Sequence, residues 1–137
     1  MKIKEHIPWF LKIVAKMILS RMPFSFTFWQ KLGLFRHGKM DEPGYVIDNF
    51  HKLIEVAVGK DCDLDDKLIL ELGPGDSIGT AIVAASYGMR SILVDVGDFA
   101  TKDIGFYLSL AQSLEDRSLS PPRLSVDDDI DSILNKC

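Results

Sequence analysis

Apolar residues recur at helical spacing in several stretches of this chain, and two short runs are almost continuously apolar. From about Glu5 to Arg21 the residues Trp9, Phe10, Ile13, Val14, Met17 and Ile18 cover most of a helical circumference. Lys12 and Lys16, four apart, leave with Ser20 a narrow polar stripe. So wide an apolar face has to be covered. The body of the protein is one candidate, and a membrane surface with the lysines at headgroup level is the other. Packing on the body is the more usual outcome for one apolar helix beside a small domain. Met22-Pro23 ends this helix, because proline disfavours helical geometry in the residue before it. In the aromatic segment that follows, Phe24, Phe26 and Phe28 alternate as in a strand, whereas Trp29 and Leu32 fit a short helix ending at Gly33. Leu34 to Met40 reads as a basic loop.

A second periodic stretch begins with Asp41 as cap and Pro43 in the first turn, and runs to Val58 before Gly59. Val46, Ile47, Phe50, Leu53, Ile54 and Ala57 form its apolar face. After an acidic link, Asp61 to Asp66, the run Lys67 to Leu72 predicts a strand. A glycine turn and a helix from about Asp76 to Tyr87 follow, closing at Gly88. Ser91 to Val96 predicts a second strand, and such a short return is that of a βαβ unit. Thr101 to Glu115 predicts a helix with Ile104, Tyr107, Leu108, Ala111 and Leu114 inward. Ser118 to Ser125, with Pro121-Pro122, is a loop, and Asp127 to Lys136 a last short helix with its acids near the N-terminus.

The fold class is therefore α/β. Two parallel strands are visible, where a doubly wound sheet has several more. The expected organisation is a basic, apolar helical arm over 1–40, then a domain over 41–137 that is the N-terminal part of something larger, truncated at the C-terminus.

Charge sharpens that division. The first forty residues hold eight Lys or Arg and one acid, a formal +7, while the remainder carries −11, for a net −4. A basic arm on an acidic body points to a docking role for the arm. It argues against a nucleic-acid partner, since phosphates would repel the body. Cys62 and Cys137 have neither metal spacing nor a partner framework and read as free thiols. Lys12 and Lys16 break the N-terminal apolar run, which is too short for a bilayer. The expected location is cytoplasmic, with peripheral contact to the inner face of a membrane through residues 2–21 as a further expectation.

The chemistry gathers at Glu71-Leu72-Gly73-Pro74-Gly75-Asp76-Ser77. Glycine at a strand end allows a sharp turn and close approach of a ligand to the main chain. The next helix offers unpaired N–H groups and a partial positive charge to a pyrophosphate or a carboxylate. The dinucleotide fingerprint needs a third glycine at position 78, but Ile78 stands there and Gly79 comes one residue late. Glu71 before the turn suits an ammonium group. Asp95 at the end of the second strand suits the two hydroxyls of a ribose. S-adenosyl-L-methionine carries an ammonium, a carboxylate and a ribose together.

Glu71 to Ser77 resembles motif I of class I S-adenosylmethionine-dependent methyltransferases, and Leu93-Val94-Asp95-Val96-Gly97-Asp98 resembles their second motif. Leu34 to Asp41 is similar to a bacterial branch of that family associated with sugars and polysaccharides. The resemblance implies a Rossmann-like three-layer domain of seven strands, incomplete here. It implies cofactor contacts at Glu71, Gly73, Pro74, Gly75, Asp76, Ser77, Asp95 and Val96. Glu71 would meet the methionine end, Asp95 the ribose, and Val96 would flank the adenine. Ser77 departs from the family's third glycine. The acceptor would be a small molecule or sugar-like, and no catalytic residue is named, because methyl transfer depends mainly on positioning. Asp98 is a secondary candidate, either assisting Asp95 or capping the next helix. His37, between Arg36 and Lys39, is a weaker one. The rivals are an NAD(P)-dependent oxidoreductase and a non-catalytic membrane-docking module.

Overall fold

A computed structural model describes residues 9–19, 21 and 42–137. The chain divides into two compact units, Met1–Arg36 and His37–Cys137. In the first, one helix is described, α1 (Trp9–Leu19). It lies within the stretch predicted from Glu5 to Arg21. The expectations for Met22 to Asp41, including the loop histidine His37, fall outside the described residues.

The second unit runs α2 (Pro43–Val58), β1 (Leu68–Leu72), α3 (Gly79–Ser86), β2 (Arg90–Val94), α4 (Ile104–Glu115) and α5 (Ile130–Lys136). β1 and β2 pair in parallel, Leu68 opposite Arg90 and Leu72 opposite Val94. With α3 between them they make the predicted βαβ unit, and the chain is mixed α/β.

α3 is the centre of the core. Its sequence, GTAIVAAS, is apolar or small on every side, and seven of its eight residues are buried. A helix apolar all round belongs inside. α2, α4, α5 and β2 all pack against it. Val46, Ile47 and Phe50 from α2, Ile82 and Val83 from α3, Phe106, Tyr107, Leu110 and Leu114 from α4, and Ile133 from α5 form one cluster. Gly79 opens α3 where its neighbours come closest. A Cβ there would lie 2.9 Å from Val46 Cγ1 and 3.2 Å from Leu110 Cδ2.

The sheet is covered on one face. Ile69 and Leu93 pack against the core. On the other face Leu68, Leu70, Leu72, Ile92 and Val94 are 48–74% exposed. Parallel strands as apolar as these are ordinarily buried on both faces. Among the described residues there are thus two layers and two strands.

Local boundaries shift for identifiable reasons. Glu42, rather than Asp41, holds the cap position of α2, without a side-chain cap bond, and Pro43 follows it as expected. The Gly59 N–H donates to the Glu55 carbonyl at 3.1 Å, closing α2 where predicted. Leu53 and Ala57, assigned to the buried face by spacing, are exposed. α2 has sixteen residues against eight in α3, about 24 Å against 12 Å, so its last turns pass beyond the core. Its last fully buried residue is Phe50, and the half-buried Ile54 still packs against the core. Phe50 is stacked on Tyr87 at 5.9 Å between ring centroids. Beside it, His51 Nε2 and the Tyr87 hydroxyl are 2.6 Å apart, a partner for His51 that the sequence did not reveal.

α4 starts at Ile104, not Thr101, because the Asp103 carboxylate accepts the Gly105 N–H at 3.0 Å and caps it. Phe106 and Leu110 join Tyr107, Ala111 and Leu114 in its buried face, while Ile104 and Leu108 are half-buried. With α2 and α3 both packed on α4, that face is wider than a single stripe. Asp129 caps α5 through the Ser132 N–H at 2.8 Å. Both cysteines are free.

Candidate functional site

β1 and β2 end together, and two loops leave their ends side by side. The first is the glycine turn, residues 73–78. Gly73 and Gly75 have φ of +74° and +66°. In this left-handed region a side chain is strained, so the turn requires glycine at both places. The Gly73 N–H donates to the Val94 carbonyl at 2.7 Å, extending the ladder one residue past β1. α3 then begins at Gly79, three residues later than the sequence predicts.

The second loop, residues 95–103, is tied to the first by two direct hydrogen bonds, one from Gly75 and one from Thr101. The Gly75 N–H donates to Asp95 Oδ2 at 2.9 Å, and the Val96 N–H donates to Asp95 Oδ1 at 2.6 Å. The Thr101 N–H donates to the Asp76 carbonyl at 2.8 Å. Beneath both loops, the buried Tyr107 hydroxyl accepts the Ile78 N–H at 3.4 Å and donates to the Thr101 carbonyl at 2.9 Å. Burial pushes the Tyr107 phenol up to about 12, helped by the Asp103 carboxylate and opposed by the Ile78 hydrogen bond.

Glu71 stands one residue before the strand end, on the same half-buried side of β1 as Ile69. Burial raises its pKa above the ordinary carboxylate range, and a side-chain hydrogen bond with Thr80 works against that rise. Its Oε2 is buried with no hydrogen-bond partner. A buried carboxylate oxygen without a donor is costly, and an ammonium group would relieve it.

The structure thus brings Glu71, Gly73, Gly75 and Asp95 to one corner. Pro74 and Asp76 lie half-buried within the turn, and Val96 is 97% exposed beside Asp95. Ser77 has a different place. It is 1% exposed, and its hydroxyl accepts the Gly79 N–H at 3.0 Å, so it holds the entry to α3 from inside. The first donors of α3 are consequently turned to internal partners, Tyr107 and Ser77. Asp98 does not cap the next helix, since Asp103 does; it pairs with Lys102 at 3.1 Å.

Tyr107 is the site residue that sequence reasoning undervalued. Helical period places it inward, but its two hydrogen-bond partners come from loops 29 and 6 residues away in the chain. Compared with protein-family models, with curated proteins and with solved structures, the chain matches none.

Proposed function

We propose that this chain is the cofactor-binding portion of an S-adenosyl-L-methionine-dependent methyltransferase with a Rossmann-like fold, acting on a small-molecule or sugar-like acceptor. The observation that carries this reading is the pairing of two carboxylates across one glycine turn. One, Glu71, has a buried oxygen in need of a donor. The other, Asp95, is anchored by two main-chain amides and exposed to solvent.

Two acids at such a corner favour a ligand that brings an ammonium and hydroxyls. They disfavour a pyrophosphate, which would meet Asp95 at the Gly75 amide already bonded to it. The broken glycine spacing has the same consequence. Glu71 would hold the ammonium, Gly73 and Gly75 would let the ligand approach the main chain, and Asp95 would take the ribose hydroxyls through its remaining lone pairs. Val96 would flank the base. The bound group supplies an electrophilic methyl on its sulfonium. The protein's share is to fix that methyl's position and keep its surroundings dry. The bare face of the sheet supports the reading of a portion of a larger parallel-sheet domain, which would cover it.

Calorimetric titration of the full chain with S-adenosyl-L-methionine, S-adenosylhomocysteine and NAD tests the reading. Saturable binding of the first two, weakened by Glu71→Gln and by Asp95→Ala, is expected. Binding of NAD without the methyl donor rejects it.

A further inference from the structure

α1 carries a feature that methyl-donor binding does not use. At about 100° per residue, Leu11, Ile18, Val14, Phe10, Met17 and Ile13 fall on a single arc of about 160°, and positions 12 and 16 fall opposite it. All six of these apolar side chains are 47–58% exposed. Trp9, at the first position of the helix, is of the residue type enriched at bilayer interfaces. Among the described residues, no helix is long and apolar enough to cross a membrane.

We infer that α1 is an in-plane anchor for an anionic lipid bilayer. Charge selects this occupant for the apolar arc. The first forty residues carry +7 and the rest −11. An anionic surface attracts the arm and repels the body, which orients the molecule with α1 toward lipid. A second copy docking α1 on α1 would bring two +7 segments together, which like-charge repulsion opposes. The helix lies in the plane of the surface, its apolar arc among the upper acyl chains and the Lys12 and Lys16 positions toward headgroups and water. Apolar burial and basic attraction act together, as stable peripheral binding requires.

The full chain is floated with vesicles of phosphatidylcholine alone and of phosphatidylcholine with about one-third phosphatidylserine, at low and at high salt. Binding is expected on the anionic vesicles, falling about tenfold or more on neutral ones and at high salt. Lys12→Gln with Lys16→Gln keeps the apolar arc and lowers the partition constant about thirtyfold, each base near an anionic surface contributing about fivefold. Ile13→Ser with Ile18→Ser abolishes binding, while thermal melting of the unit containing α2 to α5 is unchanged. In a Trp29→Phe chain the Trp9 emission shifts to the blue with anionic vesicles. Absence of binding by the parent chain overturns the inference. So does equal binding to neutral and anionic vesicles, or a concentration-dependent dimer that the isoleucine changes abolish without any vesicle binding.

Discussion

The carboxylate of Asp95 accepts the main-chain N–H of Gly75 at 2.9 Å across twenty residues of sequence. This single bond joins the end of β2 to the turn after β1 and sets an acid directly beside the glycine corner. Asp95 therefore has two tasks, shaping the turn and facing a ligand. They can be separated. Asp95→Ala leaves the Gly75 and Val96 amides to water, which at an exposed site costs about 0.5–1.5 kcal/mol. Chemical denaturation should register that modest loss. Methyl-donor affinity, followed by calorimetry, should fall further, by about a hundredfold, because two charge-assisted bonds to hydroxyls are lost as well.

Glu71 is expected to trade stability for binding. Its pKa is raised in the folded chain, mainly by burial. Between the ordinary carboxylate value and the raised one, the folded chain holds a proton that the unfolded chain has lost. Stability from this group is thus complete below the ordinary value and declines as pH rises through the raised one. Glu71→Gln should remove that decline, so the ligand-free variant melts at or above the parent at neutral pH. The same change should weaken methyl-donor binding about tenfold or more, since the ammonium loses its counter-charge. A variant that loses melting temperature at neutral pH and binds the donor normally would contradict this account of Glu71.

Tyr107→Phe leaves the packing volume nearly intact and removes the hydroxyl that ties the two loops. The Ile78 N–H then loses its partner in a buried place and the Thr101 carbonyl in a half-buried one, at a cost of about 1–3 kcal/mol. Thermal unfolding should show it. The phenol, held up to about 12, stays protonated in the folded chain after the unfolded chain has ionised near pH 10. Stability therefore falls as pH rises from about 10 toward 12, and the component due to Tyr107 disappears in the phenylalanine variant.

Gly79→Ala tests the close approach of α2 and α4 to the start of α3. The added methyl would stand 2.9 Å from Val46 Cγ1 and 3.2 Å from Leu110 Cδ2. Helix propensity favours alanine by about 1 kcal/mol, but overpacking a tight core costs about 1–3 kcal/mol. A net loss of stability is expected. A companion Val46→Ala change should recover part of it, a coupling that a double-mutant cycle in denaturant measures.

The elements of the second unit were legible in the sequence because each rests on a local signal. Pro43 and Gly59 bracket α2, an apolar run makes each strand, and the glycines after β1 force the turn. The candidate acids were legible as well, since Glu71 and Asp95 occupy the ends of predicted strands. Other features depend on contacts between segments far apart in the chain. Ser77 has the character of a loop residue, yet it is buried, with its hydroxyl accepting the Gly79 N–H at the entry to α3. Leu53 and Ala57 obey the same periodicity as Phe50, yet the neighbours of α2 cover only Phe50 and, in part, Ile54 on that stretch, and Leu53 and Ala57 are left in solvent. Periodicity records which residues share a face, not how much of that face meets a neighbour. Local sequence thus determined the βαβ order and the acids at its corner. Tertiary packing decided which oxygen of Glu71 has no partner, which amides Asp95 holds, and how Tyr107 joins the loops, because hydrogen bonds and burial between distant segments exist only once the chain has closed on itself.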